Sequence, residues 1–294
     1  MLSILIPTYN YNASPLVDSL LRQGKLLSHD FEIICCDDCS TDERILAENA
    51  TIASKACCTY FRNSKNEGRT KTRTLLAEKA QYDWLLFLDA DVLPVAEDFI
   101  KNYTEIPYNN KNDVIFGGYC YENVLKDPAT ILRWKFGKSR ESHSETVRNL
   151  NPYLYLFSGN LMIKKAIFFK VPFPKTNHYG MDIYFSYYLS LIKARVYHIN
   201  NPILHLGLEK NEIFFSKSLE SVRIRKNFST TLTGISSVNT LLKHYSWLKK
   251  YHLQGLVKIG FQIIAPLLKK NILGKNPNLF FFDIYRLGYI CFTK

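Results

Sequence analysis

Two carboxylates separated by one small residue, Asp89-Ala90-Asp91, follow directly on the uncharged apolar run 84–88. Oxygen ligands at that spacing on a turn suit a hard divalent cation. A cation held there can neutralise a diphosphate and stabilise it as a leaving group. The same pair alone would serve equally as a solvated acidic turn, so its company matters. Three more polar clusters each close a short apolar run: Pro7-Thr8-Tyr9-Asn10, Asp37-Asp38-Cys39-Ser40-Thr41-Asp42, and Asn66-Glu67-Gly68-Arg69-Thr70-Lys71-Thr72-Arg73. Arg69 and Arg73 are four apart and share one side of a helix, either in a site or on an exposed face. Farther along stand Ser158-Gly159-Asn160, His178-Tyr179-Gly180-Met181-Asp182 and Asn201-Pro202-Ile203-Leu204-His205.

The elements that must position these clusters can be read from periodicity. Residues 2–6 form an apolar run stopped by Pro7, and runs 31–36, 57–61 and 84–88 have the same character. Between them, Ser14-Pro15 reads as an N-cap and first helical residue, Asp42 opens a helix over 43–55, and 68–80 reads as a third helix. Continuous apolar strands alternating with helices imply a mostly parallel sheet covered on both faces. Ligands of such sheets sit beyond the carboxyl ends of the strands, where all four clusters fall. Further strands are expected over 114–121, 154–163 and 195–199, with a loop or short helices over 122–150 and a helix over 209–227. In 253–268 the residues Gln254, Lys258 and Gln262 make a narrow polar stripe on an otherwise apolar helix. That pattern suits an interfacial segment, a packed helical subdomain or a dimer face.

The four clusters, in this order, resemble the family 2 glycosyltransferases of bacterial surface-polysaccharide type. The resemblance covers roughly residues 1–230, and its most specific parts are the complete DDxSxD pattern at 37–42 and the place of the DxD at 89–91. It implies an α/β chain with the GT-A fold, a Rossmann-like, mostly parallel central sheet with helices on both faces. Residues 1–92 would be the nucleotide-sugar-binding half and 93–230 the acceptor half, followed by a basic, amphipathic helical extension over 231–294.

The resemblance also implies roles. Pro7, Thr8, Tyr9 and Asn10 would lie along the nucleoside, and Asp37 or Asp38 would bind the base or ribose. Arg69 would contact the base edge or a phosphate. Asp89, with Ala90 beside it, would reach the ribose or metal-bound water, and Asp91 would bind the metal directly. His205 falls where some members complete the metal shell. The cation would be Mn2+ or Mg2+, and an imidazole ligand suits manganese better. Asp182 stands in the place of the general base, although Met181 replaces the Glu that commonly precedes it. Gly159 and Asn160 are candidates for the acceptor wall, or else an ordinary turn. The implied reaction moves a sugar from a nucleotide donor, UDP-linked by expectation, to a hydroxyl of a glycan or lipid-linked acceptor with inversion. The competing readings are a catalytically weak nucleotide-sugar-binding protein and a protein whose basic tail binds membrane or nucleic acid.

Charge bears on the last of these. The chain carries a net +12, and residues 207–294 hold 14 basic and 4 acidic residues, whereas 1–206 are nearly balanced. No zinc-finger, RNP-like or helix-turn-helix pattern supports a nucleic-acid partner, so an anionic membrane surface is the expected partner of the tail. Seven cysteines, an odd number without a paired CxxC arrangement, are expected to be reduced and structural. The start lacks a signal-peptide pattern, and no apolar run is long enough to span a bilayer. The expected location is the cytoplasm, with peripheral attachment to the inner face of the membrane.

Overall fold

In the computed structural model, which describes residues 1–25, 27, 30–106, 111–174 and 180–293, the chain begins as an alternating α/β series. It runs β1 (Leu2–Thr8), α1 (Ser14–Gly24), β2 (Phe31–Asp37), α2 (Glu43–Ala50), β3 (Cys58–Arg62), α3 (Arg69–Lys79) and β4 (Trp84–Leu88). There follow β5 (Val92–Pro94), α4 (Phe99–Thr104), β6 (Val114–Phe116), β7 (Tyr119–Cys120), α5 (Ile131–Phe136), α6 (Glu145–Leu150), β8 (Asn160–Lys164) and α7 (Lys165–Phe168). The chain ends with α8 (Asp182–Leu191), β9 (Val196–His198), β10 (Ile203–His205), α9 (Asn211–Thr231), α10 (Thr240–Lys250), α11 (Gln254–Ile272) and α12 (Leu279–Phe292). His178 and Tyr179 of the motif before α8 lie outside the described residues.

Two compact units result. The first comprises the described parts of 1–120, 143–177 and 188–207, and the second those of 121–142, 178–187 and 208–294. The first contains a seven-stranded sheet in the order β3-β2-β1-β4-β8-β6-β9 and a three-stranded sheet in the order β5-β10-β7. Strands β1 to β4 are mutually parallel, and β8 runs antiparallel to both β4 and β6. Ile4, Leu5, Ile6, Ile33, Leu85, Leu86 and Leu88 are all fully buried, as continuous apolar strands covered on both faces require.

Several expected boundaries shift for physical reasons. Pro7 does not stop β1. The Thr8 carbonyl accepts from Asp38 N on the β2 side, so alternation turns the bare Pro7 nitrogen toward β4, whose pairing has already ended at Leu5↔Phe87. Ser14 does not cap α1: its hydroxyl donates to the Glu48 carbonyl, while Asn49 receives the Ala13 N–H. The single strand expected over 114–121 is two, because the chain turns at Gly117-Gly118. Gly118 has φ +99, and a Cβ on it would meet the Arg148 guanidinium at 1.9 Å, so glycine alone fits. The expected strand over 154–163 is confined to β8, and α2 ends at Ala50 in a short 3-10 turn, Thr51–Ser54. The cysteines are all free thiols.

The second unit is helical and held by aromatic rings. Phe282 of α12 is fully buried between Phe136 of α5 and Phe214 of α9, at centroid distances of 5.9 and 6.0 Å. Phe261 of α11 meets Tyr285 of α12 edge-on at 5.0 Å. Asn239 and Asn278 cap α10 and α12 by accepting backbone N–H bonds. Among the described residues, no helix is long and apolar enough to cross a membrane.

Candidate active site

Because β1 to β4 are parallel, their carboxyl ends share one edge of the sheet in the first unit, and the polar clusters of the sequence meet there. Asn10 ties the first two loops together. In a left-handed conformation (φ 48), it donates its backbone N–H to Ser40 Oγ at 2.7 Å, and its Oδ1 accepts from Thr41 N at 2.8 Å. Asp42 then caps α2, accepting from Arg44 N and Ile45 N.

Asp37 and Asp38 are both buried. Asp37 accepts from the Ser40 backbone and hydroxyl, each at 2.7 Å. Asp38 accepts from Asn63 Nδ2 at 2.9 Å and from the backbone N–H groups of Glu67 and Gly68 at 2.8 Å. A carboxylate offers about four lone-pair sites, so Asp38 keeps one beyond those that frame the loop. Pro7 is partly buried and Thr8 is buried, its hydroxyl donating to the Tyr11 carbonyl at 2.7 Å. Tyr9 is 49% exposed.

The DxD carboxylates have different surroundings. Asp89 faces two guanidiniums: Arg69 Nη2 donates to its oxygens at 3.0 and 2.9 Å, and Arg73 Nη2 at 2.5 Å. Burial raises the Asp89 pKa, but Arg69, Arg73 and the nearby His205 outweigh burial and bring it below the usual carboxylate range. Arg69 also donates to Ser158 Oγ at 3.4 Å, and the Asp89 backbone N–H donates to the Gly159 carbonyl at 3.2 Å. The helical spacing of four thus brings both arginines to one carboxylate, and Arg73 is buried rather than on an exposed face. Ala90 is the partly buried spacer between the two acids.

Asp91 lies in the second sheet's reach. Antiparallel pairing of β5 with β10 sets His205 opposite Val92 and brings His205 Nε2 to 3.7 Å from Asp91 Oδ2. Leu206 N donates to the Asp91 carbonyl at 2.9 Å. A Cβ on Gly207 would lie 1.8 Å from Asp91 Oδ2, so glycine lets the carboxylate lie against the main chain. Burial and the Asp91 charge raise the Tyr11 pKa, so this phenol stays protonated beside the acid. Among the described residues, no group of three or more His, Cys, Asp or Glu gathers as a metal site. The Asp91–His205 pair is a two-donor set of carboxylate oxygen and imidazole nitrogen. Such a set would suit a borderline divalent ion that also has positions open to other oxygen donors.

Asn160 does not reach the rim. It is fully buried, accepts from Tyr103 Oη at 2.8 Å, and donates to the carbonyls of Gly118 and Asn201 at 2.8 and 3.0 Å. Its amide is spent on the fold, which corrects the expectation of an acceptor contact there. Gly159 remains at the rim through its carbonyl bond to Asp89. Asp182 opens α8 and is partly buried, and Met181 before it is 8% exposed and packed, as an apolar residue in place of a carboxylate should be.

Sequence reasoning missed Tyr11 and gave Gly207 no role, and it placed Ser158 with Gly159 and Asn160 rather than with Arg69. Gly207 had a usable signal: a glycine two residues after His205, at the end of the strand that carries it.

The chain belongs to glycosyl transferase family 2, which matches residues 3–173. It is 38% identical over 143 residues to an uncharacterized glycosyltransferase of Haemophilus influenzae, covering 45% of this chain and 46% of that protein. The chain spans about half the length of the curated relatives it matches. Among solved structures, S. aureus TarS 1–349 in complex with UDP-GlcNAc superposes with a TM-score of 0.53 at 18% identity, covering 97% of this chain and 89% of that one. The mannosyltransferase PcManGT of Pyrobaculum calidifontis, in complex with GDP-Man and Mn2+, gives a TM-score of 0.53 at 16% identity, over 76% of this chain and 64% of that one. These likenesses define the fold as GT-A, with extra helices at the C-terminal end.

Proposed function

We propose that the chain is an inverting glycosyltransferase that takes a sugar from a nucleotide donor, UDP-linked, and places it on a hydroxyl of a glycan or lipid-linked acceptor. The observation that carries this reading is the approach of His205 Nε2 to Asp91 Oδ2 at 3.7 Å, beside an Asp89 held by two arginines. The catalytic domain would be residues 1–230, with 231–294 as a helical extension. A nucleoside would stack against the exposed Tyr9 and meet the loop framed by Asn10, Asp37 and Asp38.

Asp91 and His205 would hold the divalent cation, Mn2+ by ligand type, and when bound it neutralises charge on the departing diphosphate. Arg69, half-exposed and anchored on Asp89, is close enough to the same edge to turn toward a phosphate. Asp89 would then orient Arg69 and Arg73 and meet the ribose through its remaining acceptor capacity. Asp182 would accept the proton of the acceptor hydroxyl as that oxygen bonds to the anomeric carbon and the carbon–phosphate oxygen bond breaks. A single displacement of this kind inverts the anomeric centre. Two structural neighbours, TarS 1–349 in complex with UDP-GlcNAc and PcManGT in complex with GDP-Man and Mn2+, support a nucleotide-sugar donor and a divalent ion. The test is a screen of nucleotide sugars with Mn2+ and with chelator, reading donor turnover and the anomeric configuration of the product. Turnover by chelated protein, or a product of retained configuration, would overturn the metal or the displacement respectively.

A further inference from the structure

The outer face of α11 carries apolar side chains that the fold leaves uncovered. Leu256, Ile259, Ile263 and Leu267 recur at spacings of three and four and therefore form one stripe along the helix. They are 71, 60, 73 and 71% exposed. The helix is nevertheless docked, because Phe261, Leu268 and Ile272 are buried on its other side and Phe261 meets Tyr285 of α12. Lys258, Gln262 and Lys269, all exposed, run along one flank between the two apolar faces. Just before α11, at the end of α10, Trp247 and Tyr251 are more than half exposed. Proteins that stay free in water rarely leave a stripe of this length open.

Charge decides the occupant. Residues 232–294 contain nine basic residues and one acidic residue, Asp283. That carboxylate is taken by Arg140 at 2.8 Å and Arg286 at 3.6 Å. A symmetric pairing of two copies through α11 would set the lysine flanks of both against each other. An anionic lipid surface meets the same flank with opposite charge. The 19 residues of α11 span about 28 Å, and the helix does not have the apolar length to cross a bilayer. It suits lying in the interface plane.

We propose that the outer face of α11 docks the protein on an anionic bilayer surface, with Leu256, Ile259, Ile263 and Leu267 among the acyl chains and the lysines at the headgroup phosphates. The attachment stands independently of the sugar-transfer reading, since none of these residues belongs to the strand-end edge. The test is co-sedimentation of the full chain with phosphatidylcholine vesicles, with and without phosphatidylglycerol, alongside sedimentation velocity without vesicles. Binding to the anionic vesicles is expected, with the combined Leu256→Ser, Ile263→Ser and Leu267→Ser variant losing about tenfold or more. These side chains are exposed, so circular dichroism should match the parent. Should the triple variant misfold, Lys258→Gln with Lys269→Gln provides the second reading and must weaken binding at low salt. The proposal is overturned if the parent ignores anionic vesicles or the folded triple variant binds them undiminished. It is also overturned if the parent is a dimer that the triple variant breaks while vesicles stay bare, which assigns the face to a second copy.

Discussion

Arg73 Nη2 lies 2.5 Å from Asp89 Oδ1, and Arg73 is nearly closed to solvent. A guanidinium on the first turns of α3 and a carboxylate just past β4 are thereby locked across the mouth of the sheet, with Arg69 as a second, more open partner. The pair makes the first DxD acid a centre of organisation, whereas Asp91 has His205 as its near neighbour at 3.7 Å.

Breaking that lock should cost stability before it costs chemistry. Arg73→Met leaves Asp89 partly buried with one cation fewer, and losing one partner of a buried ion pair costs about 3–5 kcal/mol. With Asp89 still partly open and Arg69 in place, about 2–3 kcal/mol is expected. Urea unfolding of Arg73→Met, Asp89→Asn and the double variant should show strong coupling; additive single effects would mean the two groups do not depend on each other.

Asp91→Asn and His205→Ala should each weaken Mn2+ binding by at least about tenfold, since even groups outside the direct ligand set change affinity by about 10–100-fold. Gly207→Ala should do the same without removing a ligand, because its methyl would enter the space of Asp91 Oδ2. Titration calorimetry with Mn2+ reads all three. Unchanged affinity in the Asp91 variant removes the proposed metal site.

Asp182→Asn should lower transfer by about 10²–10⁴-fold while donor affinity stays near that of the parent. A variant that transfers normally would take Asp182 out of the base role and leave it as the opening residue of α8.

Acid should destabilise the fold through His198. Burial chiefly, with a smaller push from Arg148, lowers its pKa to about 4 despite the Nε2–H bond to the Pro152 carbonyl at 2.9 Å. The unfolded chain therefore binds a proton near pH 6.5 that the folded chain refuses until about pH 4. Stability is complete above the upper value and declines as pH falls through this window, at about 1.4 kcal/mol per unit. NMR should show the His198 ring unprotonated at pH 5, with unfolding midpoints in urea falling from pH 7 to pH 5. A ring that titrates near 6.5 would refute the assignment.

The strands of the first half were legible because each is an unbroken apolar run, and 84–88 was read to the residue. The DxD and the strand-end clusters were legible because their types and order are unusual. What escaped depends on contacts between distant segments. Asn160 looks like any polar residue at a strand end, and only its bonds to Tyr103, Gly118 and Asn201 reveal a buried post. The break at Gly117-Gly118 was hidden because the apolar pattern continues through it. Antiparallel β8 could not be told from a parallel strand, since burial on both faces erases alternation. Arg73 and Arg69 had the right spacing for a joint partner, but a helix face does not name what it faces.

Asn160 has one more consequence. It belongs to a strand of the large sheet, while its amide holds the carbonyl of Gly118, ahead of β7, and that of Asn201, ahead of β10. One side chain thus fastens the small sheet to the large one at both of the small sheet's approaches. Parting the sheets would leave that buried amide unsatisfied, a penalty that couples them, so the first unit should melt in one cooperative transition, and the edge on which Asp89 and Asp91 stand should persist or vanish whole.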